Sequence, residues 1–578
     1  MPTSAVVSCV GGGTQASVVS PAHCRGTPNV LNMLRRNLVP IAALLLSLLF
    51  LWLGWQVSRA WFWPLLLTVP VLALGIYDIT QRQWTILRNY PVAARLRWLF
   101  YDLRPFLRAY IVEDDLHGTP FPFAARNLVH ERAEGLTDTK PFGTERHTDA
   151  ASYHWFAHSI APAERPDESP RVTVGNEQTA RKYSASVFNI SAMSFGALSA
   201  NAILSLNLGA KLGGFYHDTG EGGLSEHHLA HGGDVVWELG SGYFGARDKQ
   251  GHFDPAQFAD KAAHDAVKMT EIKLSQGAKP GHGGLLPGAK VSEEIARVRG
   301  VPAHEDCLSP SAHSAFSTPI ELLEFAAKMR ELSGGKPVGL KLCIGQMHEP
   351  FALVKAMLQT GILPDFIVVD GGEGGTGAAP QELSDWVGMP LEDGLVVMRN
   401  ALVGAGLKDK VRLAASGKVY SGMGLARNLA QGADWCNAAR AFMFSIGCIQ
   451  AQRCHLGTCP TGITTQDRSR QRGLVPEVQG PRAARFHAET LKSLARIVAS
   501  VGFEHPRDLA PHHLIHRVGP EKALPVDEIK VFLPEGILLA APEDTVYASW
   551  WRAARADSFR PATDLVADRA RTRNKAID

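Results

Sequence analysis

The sequence is poor in cysteine, in net charge and in low-complexity segments, and each shortage excludes a class of protein. Eight cysteines among 578 residues are too few and too unevenly placed for a disulfide scaffold. A formal net charge of +3 gives no argument for a nucleic-acid partner, and none is expected. No G-x-G-x-x-G turn follows an early strand, which argues against a doubly wound dinucleotide-binding domain.

Glycine, in contrast, is abundant. The 55 glycines stand in short motifs between apolar runs rather than in repeats. This pattern favours an α/β enzyme with tight turns, and the length of the chain predicts one large domain with appended segments.

Two long apolar runs lie near the N-terminus, after a small and polar stretch (residues 1–32) that is predicted to be a disordered leader. Leu38–Val57 has no charged residue in 20 positions, enough for a helix to cross the roughly 30 Å hydrocarbon core of a bilayer. Ala60–Tyr77 follows almost at once. The pair predicts a transmembrane helical hairpin within residues 33–80. A secretory signal with a stop-transfer segment, or a buried core hairpin, are the alternatives.

The arginines around this hairpin predict its orientation. Arg35 and Arg36 precede it and Arg82 follows it, whereas Arg59 alone lies in the turn. By the positive-inside rule both ends of the hairpin are cytoplasmic. We therefore expect a multi-pass anchor in the inner (cytoplasmic) membrane, a cytoplasmic catalytic domain, and a juxtamembrane linker or subdomain at residues 81–170.

From residue 171 to residue 520 short apolar strands alternate with amphipathic helices. Buried strands such as VGLKL, FIVVD and RLAAS are each followed by glycine and polar residues. Strands that alternate with helices indicate parallel βα units. Glycine and polar residues directly after successive strands predict a TIM-like (β/α)₈ barrel with its active site at the strand carboxyl ends. Residues 521–578 are predicted to form a C-terminal tail.

Three of the eight cysteines lie within twelve residues, at Cys448, Cys454 and Cys459. Their spacing matches neither a zinc ribbon nor a C-x-x-C redox motif. A glycine-punctuated loop that ends in Cys-Pro is typical of thiolate ligands to an iron–sulfur cluster. A three-cysteine cluster that lacks one iron fits this count, as does a cubane with a fourth, non-cysteine ligand. Zinc binding and purely structural cysteines remain alternatives.

Several longer motifs carry a family resemblance. The stretch CIQAQRCHLGTCPTGITTQ is similar to the cluster-binding loop of the glutamate synthase large subunit, and IKLSQGAKPGHGGLLPGAK resembles the central motif of that family. SAMSFGALS, TGEGG, GLKL and DGGEGGTGAAP also match, in the family's order. The resemblance covers residues 184–466, with a looser match over a helical tail to about residue 518. It implies an FMN-binding barrel in which the three cysteines hold a [3Fe–4S] cluster.

The candidate FMN-binding residues lie in six short segments, most of them rich in glycine or polar residues. The resemblance places SAMSF against the flavin ring. Glycines that follow successive strands let backbone approach a ligand, and the loops after late barrel strands commonly bind phosphate. For any single glycine an ordinary turn is the alternative. The candidates are Ala192, Met193, Ser194, Gln276, Lys341, Asp370, Gly371, Gly372, Gly417, Lys418, Gly422, Ala439 and Arg440.

Three charged residues are the catalytic candidates. Lys341 lies in an apolar strand, where a lysine is costly to bury unless it is paired, and we expect it to stabilise the anionic reduced flavin. Lys279 is expected to meet an acidic substrate and Glu221 to lie near the flavin ring. A salt-bridged lysine and an ordinary turn carboxylate are the alternatives.

The resemblance implies an oxidoreductase that reduces the imine of 2-oxoglutarate and ammonia to glutamate. A ferredoxin or a separate NAD(P)H-oxidising subunit would donate the electrons. The family's glutaminase domain and C-terminal β-helix find no match here, and His282 stands where the family often has an acidic residue. These departures leave two alternatives open: an amine-transferring subunit like that of N-methylglutamate synthase, or a non-catalytic, membrane-tethered electron-transfer subunit.

Overall fold

The structure is a computed structural model that describes residue 34, residues 36–136 and residues 139–562. It divides into two compact units, Met1–Arg108 and Ala109–Asp578. The predicted leader lies outside the described residues. Because the boundary falls at Arg108, most of the predicted juxtamembrane segment belongs to the second unit.

Two apolar helices dominate the first unit, Leu38–Gln56 and Leu65–Thr80, joined through a 3₁₀ turn at Arg59–Phe62. They pack as a hairpin in which Ser47 Oγ donates to Thr68 Oγ1 at 2.8 Å. By length and composition, Leu38–Gln56 and the stretch Arg59–Thr80 are each apolar enough to cross a membrane. Crossing itself stays a prediction, since a buried core helix or a signal sequence meets the same criterion.

The end of this hairpin is tied to the segment that follows it. Asp78 is fully buried, and its carboxylate accepts from the Arg95 guanidinium at 2.6 Å and from the Val92 amide at 2.9 Å. Two short helices complete the described part of the unit, Thr85–Asn89 and Leu96–Leu107.

Eight parallel strands close into a barrel in the second unit, so the predicted TIM-like (β/α)₈ architecture is confirmed. Every neighbouring pair is parallel, and the strand at residues 267–273 pairs with the one at 338–342 to complete the ring. The strands are β1 (Phe188–Ile190), β2 (His217–Asp218), β3 (Val235–Leu239), β4 (Val267–Lys273), β5 (Val338–Leu342), β6 (Phe366–Asp370), β7 (Arg412–Ser416) and β8 (Trp435–Ala438).

Helices follow the strands and cover the barrel. Ser199 caps the first of them by accepting from the Ala202 amide, and Gly214 ends it in the left-handed conformation that glycine adopts without strain. The covering helices are α1 (Ala200–Gly213), α2 (Glu226–Leu229), α3 (Pro255–Ala262), α4 (Pro319–Leu332), α5 (Glu349–Thr360), α6 (Leu391–Gly404), α7 (Gly422–Ala430) and α8 (Pro476–Val501).

Smaller elements precede the barrel or lie in its long connections. The excursion between β4 and β5 carries a two-stranded hairpin, and the chain between β8 and α8 carries the cysteine loop. These elements are the strand pairs Arg171–Val174 with Tyr183–Ser186 and Leu285–Leu286 with Cys307–Leu308, and the helices Phe123–Glu134, Glu293–Arg299, Gln381–Trp386, Arg440–Ser445 and Arg468–Gln471.

The described part of the predicted C-terminal tail packs on the barrel instead of trailing from it. Leu538 is buried, and its side chain lies against Gly404 at the end of α6. Asn400 Nδ2 of the same helix donates to the Tyr547 hydroxyl oxygen at 3.1 Å. The elements there are an antiparallel sheet of His154–Phe156, Leu514–Gly519 and Lys522–Pro525, and the helices Val526–Ile529, Ile537–Ala540 and Ala548–Ala553.

Candidate active site

A cavity of about 830 Å³ lies at the carboxyl ends of the barrel strands. Its wall is built by the residues that directly follow or end β1, β2, β4, β6, β7 and β8, because parallel strands present their carboxyl ends at one face. Fifteen of the predicted site residues line it: Ala192, Met193, Ser194, Glu221, Gln276, Lys279, Lys341, Asp370, Gly417, Lys418, Ala439, Arg440, Cys448, Cys454 and Cys459.

Three of the predicted FMN-binding glycines do not line this cavity. Gly422 begins α7, and a Cβ there would lie 2.6 Å from the Leu494 amide nitrogen, so its role is close packing against α8. Gly371 and Gly372 shape the loop after β6 instead. The Gly371 carbonyl oxygen passes so close to Gly277 that a Cβ at that position would lie 1.6 Å from it. These glycines serve backbone packing next to the site.

Lys341 lies at the centre of the barrel face and is almost completely buried. Its ammonium pairs with the Glu238 carboxylate and lies 4.0 Å from both Asp218 and Glu271. Burial would lower the pKa of Lys341, but these carboxylates, Glu238 foremost, outweigh burial and raise it well above the ordinary value. Lys341 is therefore a permanent cation on the cavity wall.

A second group of charges borders the same cavity. The Lys273 ammonium lies 3.0 Å from Glu221 and donates to Gln276 Oε1 at 2.7 Å. Burial would raise the pKa of Glu221, but Lys273 and Lys279 outweigh it and lower the pKa to about 2. Glu221 is therefore an ionised partner of lysines at neutral pH, which suits it to positioning and not to donating a proton.

Two further cations line the cavity. Lys418 follows β7 in a left-handed conformation (φ 47°), and Arg440 begins the helix after β8. Burial, and secondarily the nearby Arg440, lower the pKa of Lys418. Burial also lowers the pKa of Arg440 to about 10, against the opposing effect of Asp370. Two desolvated cations beside glycine-rich backbone form a site suited to a phosphate group.

The cysteine loop forms the remaining part of the wall. Cys459 is buried, and its sulfur lies 3.4 Å from Thr461 Oγ1. Burial would raise the pKa of Cys459, but hydrogen bonds with Thr461 and Thr464 outweigh it and lower the pKa. Lys290 approaches the loop from the β4–β5 excursion and donates to the Cys454 carbonyl oxygen at 2.6 Å. The Lys290 charge faces Cys454 and Cys459, whereas burial raises the pKa of the Cys448 thiol to about 12.

The spacing of the three thiols bears on which metal they suit. Within the described residues, the one set of three metal-ligating side chains whose donor atoms all lie within 4.8 Å of one another is Asp218, Glu238 and Glu271, so the three thiols are spaced more widely. Around a single zinc ion with Zn–S bonds of about 2.3 Å, the sulfurs would lie about 3.8 Å apart. The three thiols therefore do not converge on one point as the ligands of a single zinc ion would.

A segment before the barrel closes the cavity above this loop. The side-chain amide of Gln450 accepts from the Phe121 amide nitrogen at 3.2 Å and donates to the Phe121 carbonyl oxygen at 3.0 Å. The Phe121 ring is buried beneath the Arg440 guanidinium, 4.8 Å away, and lies edge-on to Phe444. The predicted juxtamembrane segment therefore supplies part of the site.

The sequence interpretation missed several residues of the site. Glu238 carries the same signal as Lys341, a charged residue inside an apolar strand (VVWEL), and could have been found by it. Lys273 ends β4 three residues before Gln276. Phe121, Gln450 and Lys290 carry no local signal, because their roles come from contacts between distant segments.

Comparison with known proteins identifies the family. Residues 158–504 match the family model described as the conserved region in glutamate synthase. A glutamate synthase large subunit-like protein, YerD, of Bacillus subtilis is 34% identical over 80% of this chain and 96% of its own length. An archaeal-type glutamate synthase [NADPH] of Thermotoga neapolitana is 34% identical over 54% of this chain, which spans only 58% of that relative.

Solved structures of similar shape include a flavocytochrome b2 with sulfite bound, at 13% identity and a TM-score of 0.38, covering 82% of this chain and 96% of the other. At that TM-score the barrel assignment rests on the strand pairing of this chain itself. The family match confirms the predicted resemblance and the prediction of an enzyme. The chain belongs to the glutamate synthase family.

Proposed function

We propose that this chain is an FMN- and iron–sulfur-dependent oxidoreductase that reduces the imine of 2-oxoglutarate and ammonia to glutamate, with electrons from a separate donor. A ferredoxin or an NAD(P)H-oxidising subunit would be that donor. The observation that carries the proposal is one cavity whose wall holds a phosphate-type cation pair, a buried lysine on a barrel strand, and three thiols on one loop.

The residues present fit FMN. Lys418 and Arg440 would hold the phosphate, Lys341 would face the negative charge of the reduced ring, and Ala192–Ser194 would lie against the ring. Bound FMN would supply hydride transfer to the substrate. The chain contributes orientation, a fixed positive charge at Lys341, and exclusion of water by Phe121 and the cysteine loop.

The side of the cavity around Glu221 fits a dicarboxylic oxo acid. Lys279 is a buried cation and Lys273 a partly buried one, and Lys273 has donor capacity beyond its contacts with Glu221 and Gln276. A substrate carboxylate would take one of these lysines as its partner. Glu221 holds the two ammonium groups in place between turnovers.

The three thiols fit an iron–sulfur cluster that passes single electrons into the cavity. Cys448, Cys454 and Cys459 would be its ligands, and their number fits the [3Fe–4S] type that the family resemblance implies. Lys290 would offset part of the negative charge that three thiolates bring to a half-buried loop.

We expect electron-dependent glutamate synthesis by the full-length chain purified in detergent. A reduced viologen dye should be oxidised only when 2-oxoglutarate and ammonia are both present, with glutamate formed in proportion. Dye oxidation that requires methylamine instead of ammonia would point to the N-methylglutamate type of reaction. A flavin-containing protein that turns over no oxo acid would leave electron transfer as its role and refute the proposal.

We also propose that the hairpin at residues 33–80 anchors the enzyme in the inner membrane with the barrel in the cytoplasm. The uncharged helix Leu38–Gln56 and the polar contact between Ser47 and Thr68 inside the hairpin support this. The full-length protein should stay with the membrane pellet after an alkaline carbonate wash and should dissolve in non-ionic detergent. Release by carbonate alone would contradict the anchor.

A further inference from the structure

Three carboxylates converge inside the barrel just below the cavity. Asp218, Glu238 and Glu271 come from the neighbouring strands β2, β3 and β4, and their oxygens lie within 4.8 Å of one another. All three side chains are at most 2% exposed. We call these residues the carboxylate trio. Three ionised carboxylates at this spacing would repel one another strongly in a buried site.

The trio has too few cations to stay fully ionised. Two ammonium groups lie within 4.0 Å of the three carboxylates of the trio, those of Lys341 and Lys273, and Lys273 is shared with Glu221. One negative charge is therefore left over. Glu238 Oε1 and Glu271 Oε1 are buried and have no hydrogen-bond partner, as expected where a shared proton belongs between two carboxylates.

The leftover negative charge of the trio is neutralised by a proton and not by a metal ion. The Lys341 ammonium lies within 4.0 Å of all three carboxylates and takes the place that a cation would need. Burial raises the pKa of Asp218 to about 7, and burial together with Asp218 raises the pKa of Glu271 well above its usual range.

The other charged or titratable groups that face the trio or its lysine come from the surrounding barrel strands, and each has its own partner. The phenol of Tyr216, just before β2, faces Glu271 and is held by Trp435 and Asn437. Asp370 of β6 faces Lys341 and is offset by Arg440. The remaining groups are Lys273 on β4 and Lys341 on β5.

We propose that the carboxylate trio stores a proton at neutral pH and delivers it through Glu238 to the cavity when electrons arrive there. Delivery of the proton rests on the proposed function, whereas its storage by the trio does not. Two electrons from the donor and one proton make one hydride equivalent, which the imine carbon accepts. The trio then regains its proton from solvent, and the product amine takes its further proton from solvent as well.

Glu238 is the connecting group because it alone of the trio lines the cavity. Its two oxygens face different neighbours: Oε2 pairs with Lys341, and Oε1 lies 4.0 Å from Lys273, which contacts Glu221. A row of alternating charges thus runs from the trio to the side of the cavity where the substrate is proposed to bind.

Infrared spectroscopy of the full-length protein in D₂O tests the stored proton. At pH 8, where ordinary carboxyl groups are ionised, the protein should show a carboxylic-acid C=O band, and Glu271→Gln should lose it. Glu349→Gln is the matched control, since Glu349 is a half-buried glutamate of raised pKa outside the trio, and it should keep the band. If Glu271→Gln does not fold, Asp218→Asn should remove the same band.

Absence of a trio-dependent band would refute the stored proton whether or not the protein makes glutamate. The infrared test and the glutamate assay therefore distinguish failure of this proposal from failure of the proposed function. A stoichiometric divalent metal lost in Glu271→Gln would also refute the stored proton. In single-turnover reduction, the rate of Glu271→Gln should fall about tenfold from pH 6.5 to pH 8.5 while the wild-type rate stays flat. Identical pH profiles would refute delivery of the proton to the reaction.

Discussion

Cys454→Ser is expected to abolish the iron–sulfur cluster and with it electron-dependent turnover. The substitution replaces a soft thiolate by a hydroxyl, which is a poor ligand for iron–sulfur iron. Two thiols that remain on a glycine-rich loop cannot hold the cluster. Iron content and the broad visible absorbance should fall to background, while the flavin bands remain, because the phosphate and ring contacts lie on other strands.

The matched control is Cys436→Ala. Cys436 is a fully buried cysteine of β8 that belongs to the barrel core and lies outside the cavity lining. Its loss should leave iron, flavin and turnover unchanged apart from a modest decrease in thermal stability. Iron content that is unchanged in Cys454→Ser, measured together with this control, would refute the assignment of the loop.

Lys341→Met is expected to lower turnover by about a hundredfold or more, the order found when a single charge-stabilising group is removed from an active site. Methionine keeps the length of the side chain but removes the charge that would face the reduced flavin. It also leaves Asp218, Glu238 and Glu271 without their shared cation, which costs about 3–5 kcal/mol of unfolding free energy unless they take up protons.

Flavin content, the flavin reduction potential and thermal stability should be measured together for this variant. The potential should fall, because the anionic reduced form loses its counter-charge, and this change would not follow from destabilisation alone. Lys410→Met, an exposed lysine in the connection before β7, is the control and should match the wild type. A folded Lys341→Met protein with normal flavin reduction would contradict the role of Lys341.

The sequence predicted the parts of the barrel whose strands are continuous apolar runs. β5, β6 and β7 lie where the runs VGLKL, FIVVD and RLAAS and the glycines after them predicted. β2, β3 and β4 were missed because charged residues interrupt their apolar pattern: Asp218, Glu238, Glu271 and Lys273. These charged residues are what gives the barrel interior its chemistry, so the sequence pattern failed at the functional positions.

Contacts between distant segments limited the prediction of the site. The three cysteines are close in sequence, and Lys341 could be recognised because it is a lysine in an apolar strand. The carboxylate trio spans 53 positions along the chain and becomes a cluster only when three strands lie side by side. Phe121 and Gln450 are 329 residues apart and meet only in the fold.

The glycine-rich motif after β7 shows how similar motifs can mislead. SGKVYSGMG predicted backbone amides for phosphate binding at both Gly417 and Gly422. The structure places Gly417 on the cavity wall and Gly422 against the backbone of α8. Gly417 allows a close approach to the cavity, whereas Gly422 allows a close approach to α8. The sequence does not distinguish these two roles, because the second arises only when α7 packs on α8.

The central claim is that one barrel cavity places a flavin beside a cluster held by three thiolates. Flavin and iron analysis of the full-length protein, isolated without oxygen in detergent, tests it most directly. The account predicts stoichiometric FMN and the iron of one [3Fe–4S] cluster per chain. Well-folded protein that is colourless and iron-free, and stays so after anaerobic reconstitution with FMN, iron and sulfide, would contradict it.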